Sequence, residues 1–149
     1  MVLGMLLVPY SGIGEADRFG PAPIGQLLHG FVFLTMTNLL LLTTLFFFAL
    51  TFTLKMAAGY LAVLVTVITF LIMQTTADNS GITTVLALAD PFGYLAVEQV
   101  NNTMTGTEKN TAYLPISGNL IINRLIWLGT ALFLLVLSFL RFNFKRFLG

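Results

Sequence analysis

Few side chains in this sequence could take part in chemistry, and their spacing limits what that chemistry could be. It holds one histidine, His29, and no cysteine. An HExxH zinc site, a thiolate metal site and a Cys–His nucleophile pair are therefore all excluded. Ser117 and Ser138 lie far from His29 in sequence and give no support to a serine nucleophile. No Gly-x4-Gly-Lys-Ser/Thr loop is present, so this chain cannot itself cradle nucleotide phosphates. A lone histidine without a second ligand nearby reads as an interfacial side chain. The chain is not read as an enzyme, and no cofactor or metal is expected.

The polar residues that stand out do so because of their surroundings. Asn38 is the most polar group inside an otherwise apolar run, and it should face protein or water rather than lipid. Asn123 and Arg124 open another apolar run, where an arginine needs either a partner or a path to the headgroups. Asp90 and Glu108 are the candidate partners, with snorkelling as the rival reading. Thr105 and Glu108 also have the spacing of a helix capping box.

The elements that must position these residues are set by the solvent. The composition is 57% hydrophobic and 9% charged, with a mean hydropathy of +0.93, whereas a soluble domain carries roughly 25% charged residues. A helix rises about 1.5 Å per residue, and about 30 Å of hydrocarbon takes roughly 20 apolar residues to cross. Segments 31–54, 56–76 and 120–140 meet that length. Lipid offers no partner to backbone N–H and C=O groups, so these runs must be helices despite their Phe, Val, Ile and Thr content. Lys55, the only charge from 31 to 76, marks the turn between the first two spans. The expected fold is an all-α membrane protein of one domain, with three full spans and the end of a fourth at 1–10.

Between the spans, 11–30 reads as a loop rich in Gly and Pro, with 24–30 an interfacial turn leading into the membrane. Segment 77–118 is too polar to cross and too apolar to be a free loop. Two short helices, 82–89 and 94–100, are expected to dip back into the interface as a re-entrant segment. Asp90 and Pro91 are read as a cap followed by proline in the first helical turn.

Thr37, Thr44 and Thr51 recur every seven residues and fall within about 40° of one another on a helix. Ala58, Ala62, Thr66, Thr69 and Met73 share about 80° of the next span. Both stripes read as packing faces that let helix backbones approach closely, with a transport path as the rival reading. Trp127 near its outer third and Arg141, Lys145 and Arg146 after it bracket the last span as interfaces require.

Lys55, Arg141, Lys145 and Arg146 fall on one side of the membrane, and Arg18, Lys109 and Arg124 on the other. The positive-inside tendency then puts Lys55 and the 141–149 tail in the cytoplasm. All six carboxylates lie on the opposite side, with the long segments. A formal net charge of +1 gives no reason to expect a nucleic-acid partner.

Asp90-Pro91-Phe92-Gly93, Glu108-Lys109-Asn110-Thr111, Leu114-Pro115, Ser117-Gly118, Asn123-Arg124, Trp127 and Gly129 follow one another in this order. Together they resemble the end of the permease region of bacterial type-2 ABC exporters. The resemblance is greatest to the subgroup whose permease is fused to a zinc aminopeptidase. It implies a multi-pass protein of the bacterial inner membrane, with a separate ABC ATPase and a second permease half as partners. It also implies that 1–10 ends the third of six spans, so that the chain is a fragment or short form of one permease half. The chain departs from the pattern at Asn102-Thr103-Met104-Thr105, where aromatic residues are expected, and lacks the peptidase. Substrate and peptidase activity are therefore not carried over. The alternative is a small, non-transporting membrane scaffold or assembly protein.

Overall fold

The computed structural model describes residues 24–106, 108, 113–115 and 118–142. Every regular element among them is helical: α1 (Ile24–Gly30), a wide π turn (Phe31–Met36), α2 (Thr37–Thr53), α3 (Met56–Ser80), α4 (Thr84–Ala89), α5 (Tyr94–Asn101) and α6 (Gly118–Arg141). Three stretches among the described residues are long and apolar enough to cross a bilayer: Ile24–Thr53, Met56–Ser80 and Gly118–Arg141. The chain is an all-α, multi-pass membrane protein. The span end at 1–10, the loop at 11–23 and the tail from 143 lie outside the described residues, as do Lys109, Lys145 and Arg146.

Two spans are longer than the apolar runs that announce them. The first begins at Ile24, so 24–30 is the opening of the helix and not a turn before it. Polar Gln26 and His29 do not stop it, because beyond the hydrocarbon water and neighbouring chain can satisfy side chains. His29 Nε2 lies 3.2 Å from the Leu114 carbonyl oxygen, and its ring meets Tyr113 edge-on at 5.7 Å. The second span continues to Ser80, past its expected end at 76. There Thr76, Asn79 and Ser80 donate to carbonyls four residues back, so the polar side chains bond to the helix they extend.

Leu54 and Lys55 make the hairpin link. Leu54 adopts a left-handed conformation at φ 58°, and its N–H closes on the Leu50 carbonyl at 2.8 Å. Lys55 is extended and exposed, and its carbonyl accepts from Ala58 N–H at 3.1 Å. Close approach of α2 and α3 depends on Gly59, which is buried. A methyl group there would meet the Phe46 ring at 2.6 Å.

Helices α2 and α6 run parallel: Asn38 touches Arg124 near their starts, and the Phe47 and Phe142 rings meet at a tilt, 5.9 Å apart, towards their ends. Thr44 and Thr51 are buried on α2, and Arg124, Ala131 and Ser138 on α6. Both sets recur every seven residues, the period of a left-handed helix seam. The Thr37, Thr44 and Thr51 hydroxyls donate to carbonyls four residues back, which makes these polar groups compatible with a packed interface. The stripe on α3 behaves differently, since Thr66, Thr69 and Met73 line a cavity of about 230 Å³ beneath Pro91.

A polar clasp on the re-entrant turn as candidate functional site

The two short helices between the spans leave backbone groups without intrahelical partners, a severe cost away from water. Asp90 to Gly93 forms a hydrogen-bonded turn, with Gly93 N–H on the Asp90 carbonyl at 3.3 Å. Asp, Pro and Gly at its first, second and fourth positions are the residues such a turn favours. Pro91 therefore lies in the turn ahead of α5, not in the first turn of that helix as its spacing suggests.

Asp90 nevertheless caps α5 through its side chain. One carboxylate oxygen accepts from Phe92 N–H and the other from Leu95 N–H, both at 2.8 Å, and the residue is fully buried. A carboxylate facing the first amides of a helix is favoured by both hydrogen bonding and the helix dipole.

The carbonyls at the end of α4 are held by the last span. Asn123 Nδ2 donates to the carbonyls of Ala87 at 2.8 Å, Leu88 at 3.1 Å and Asp90 at 2.8 Å. Trp127 Nε1 donates to the Leu88 carbonyl at 3.2 Å. Asn119 adds a 2.8 Å bond to Gln99 of α5. Under the turn, Ala87, Ala96 and Leu120 form a fully buried apolar cluster.

Arg124 joins these parts. Its Nε and Nη2 both donate to Asn123 Oδ1, at 2.9 and 2.6 Å, which fixes the amide that grips α4. Nη1 donates to Asn38 Oδ1 at 2.8 Å and Nη2 to the Pro91 carbonyl at 3.4 Å. Asn38 Nδ2 donates in turn to the Phe92 carbonyl at 3.1 Å. With 3% of its surface exposed, Arg124 does not snorkel.

All of its hydrogen bonds go to neutral oxygens, and Asp90 acts on it electrostatically without touching it. The partner expected at Asp90 is thus the Asp90–Pro91 turn as a unit. Glu108 plays no part in the clasp. It accepts from the backbone N–H and hydroxyl of Thr105, each at 2.8 Å, as the capping-box spacing anticipates. Both bonds hold its carboxyl below the usual glutamate range.

Gly93 is the position that spacing alone does not single out. It has φ +71°, and any Cβ there would collide with the Arg124 guanidinium. The Asp-Pro-x-Gly pattern signals the turn; only the fold shows an arginine packed against its last residue. The clasp stands between two cavities. Besides the one beneath Pro91, a cavity of about 480 Å³ is bounded by Asn38, Phe70, Phe92 and Tyr94. Chemically the arrangement is a fixed positive charge and a set of saturated amides that hold a turn against the first and last spans. No nucleophile stands beside a base among the described residues.

No family model, no curated protein and no solved structure matches the chain.

Proposed function

We propose that this chain is part of the membrane-spanning permease of an ABC exporter in the bacterial inner membrane. It contributes helices to an export pathway powered by a separate ATPase and completed by a second permease half. One observation carries the reading. The motif elements on which the resemblance rests, Asp90-Pro91-Phe92-Gly93 and Asn123-Arg124 with Trp127, lie some thirty residues apart and converge on one clasp. Convergence in space is what a shared fold requires of such elements, and it favours a common origin over chance similarity. The position of the turn between two cavities suits a segment that shifts during transport. Lys55 then lies on the cytoplasmic face, in a link too short to be the main contact for the ATPase.

The test is affinity purification of the tagged chain from its native membrane in mild detergent. An ABC ATPase should co-purify, and ATP hydrolysis by the complex should respond to Arg124→Ala. Recovery of the chain without any ATPase, in association with other membrane proteins whose assembly fails when it is deleted, would replace this reading with a scaffold.

A further inference from the structure

We propose that the cavity beneath Pro91 is a binding site for a small, uncharged, apolar molecule that reaches it from the hydrocarbon of the bilayer. The site stands apart from the exporter reading and holds whether or not an ATPase drives this chain. It is walled by Leu41 of α2, by Thr66 and Thr69 of α3 and by Trp127 and Thr130 of α6, and it is roofed by Pro91 of the re-entrant turn. Four parts of the fold thus enclose about 230 Å³. An apolar cavity of roughly 150 Å³ already accommodates benzene, so there is room here for about one to two aromatic rings.

Three threonines and a tryptophan line this space, yet none has a proton to give. The Thr66 hydroxyl donates to the Ala62 carbonyl at 2.9 Å, Thr69 to the Val65 carbonyl at 2.8 Å and Thr130 to the Ile126 carbonyl at 2.8 Å. Trp127 Nε1 donates to the Leu88 carbonyl at 3.2 Å. A hydroxyl carries one donor and an indole one, so all four are spent. No charged side chain lines the cavity. An anion or a carbonyl compound would find no donor there, and a cation no carboxylate, so each would lose its hydration without replacement. Water is poorly served too: a buried molecule typically makes about three hydrogen bonds, and this lining lets it donate but not accept. What remains is a ligand that asks for contact alone.

The walls also show where such a ligand enters. Val65 and Thr69 belong to the lining and are exposed, Val65 at 53%. Both stand near the middle of the 25-residue α3, and Thr130 and Leu134, which line the other side, near the middle of α6. Helix α2 packs against both of these neighbours, so the opening is the lateral gap between α3 and α6. At mid-span that gap faces hydrocarbon. Molecules dissolved in the membrane have direct access to it.

Trp127 is the only tryptophan in the chain, so the cavity carries its own reporter. The full chain in phosphatidylcholine vesicles is titrated with iodobenzene, a heavy-atom contact quencher, and Trp127 emission is read. Quenching should contain a saturable part on top of the linear, collisional part from probe dissolved in the bilayer. Benzene should compete the saturable part away. Thr69→Phe, which fills the cavity from its exposed rim, should abolish it. Thr66→Val keeps the shape but removes a hydroxyl, and should leave the half-saturation point unchanged. Acrylamide, which stays in water, should quench Trp127 far less than iodobenzene does. Absence of a saturable part in the unaltered protein overturns the proposal, and its appearance only after detergent replaces lipid identifies an acyl chain as the occupant instead. A saturable part that persists in a folded Thr69→Phe protein places the probe elsewhere, and one that is lost in Thr66→Val makes the ligand a hydrogen-bonding one; either result overturns the proposal. Strong quenching by acrylamide would make the cavity a water-filled passage and does the same.

Discussion

Asn38 and Arg124 are 86 residues apart and meet through a 2.8 Å hydrogen bond that joins the first span to the last. Asn38 uses its oxygen on the guanidinium and its amide on the Phe92 carbonyl, so one side chain ties two spans and the re-entrant turn together. Hydrogen bonds between neutral groups in membrane proteins average only about 0.6 kcal/mol. Bonds to a charged group are worth about 1.5–3 kcal/mol. The guanidinium therefore dominates the clasp.

Arg124→Ala should destabilise the folded protein by about 2–4 kcal/mol, since it leaves the Asn38 and Asn123 oxygens and the Pro91 carbonyl without donors. Arg124→Lys keeps a charge but cannot reproduce the planar fork, and should fall between Ala and the unaltered protein. Denaturant titration in mixed micelles reads the order directly. Equal, unaltered stability of both variants would mean that the residue is not held as the geometry shows.

Gly93→Ala should cost about 1–3 kcal/mol, because the backbone is left-handed there and the methyl group displaces the guanidinium. Gly81→Ala supplies the comparison: φ is +82°, but nothing lies within 4 Å of a Cβ there. At Gly81 a ψ of 160° puts the backbone where only glycine is at ease, against 14° at Gly93, so a fall in thermal midpoint at Gly93 as large as that at Gly81 would come from the collision and not from the milder strain.

Asp90→Asn retains an oxygen acceptor at the start of α5, and Asp90→Ala retains none. The alanine variant should lose about 1–2 kcal/mol, in the range of a lost helix cap, and the asparagine variant less. Hydrogen exchange at the Leu95 and Phe92 amides, which the carboxylate now covers, should quicken in the same order.

Glu108 supplies a test by pH. Its carboxyl is held below the ordinary value by the backbone N–H of Thr105 and then by its hydroxyl. The folded value is the lower one, so the stabilisation is present above the unfolded value of about 4.3 and is lost as pH falls through the folded value. Carbon-detected NMR of Glu108 should report a midpoint below about 4.3, and Thr105→Ala should move it upward.

The spans were legible because lipid leaves the backbone one solution, and Lys55 was legible because a charge in hydrocarbon is costly. Asn38, Asp90 and Arg124 could be singled out for the same reason, as polar groups in apolar surroundings. Their mutual contacts could not, because nothing local says that residue 38 meets residue 124. The helices run past the expected spans, at 77–80 where polar side chains bond to their own helix and at 24–30 where His29 reaches the Leu114 carbonyl. At 24–30 and 77–80 a drop in hydropathy marks the edge of the hydrocarbon and not the end of the helix. Trp127 was read as an interface marker, yet its N–H also holds a carbonyl of α4, which the aromatic-belt pattern does not reveal.

The π turn at Phe31–Met36 amounts to one extra residue carried within a continuous helix. Removing one residue from it would restore an ordinary helix and rotate everything before it by about 100° relative to α2. The α2–α6 seam and Asn38 lie after the turn and would keep their register. His29 lies before it and would swing away from Leu114 and Tyr113. The first span is thus two independently phased pieces: one in register with the last span, the other with the segment that leads into it.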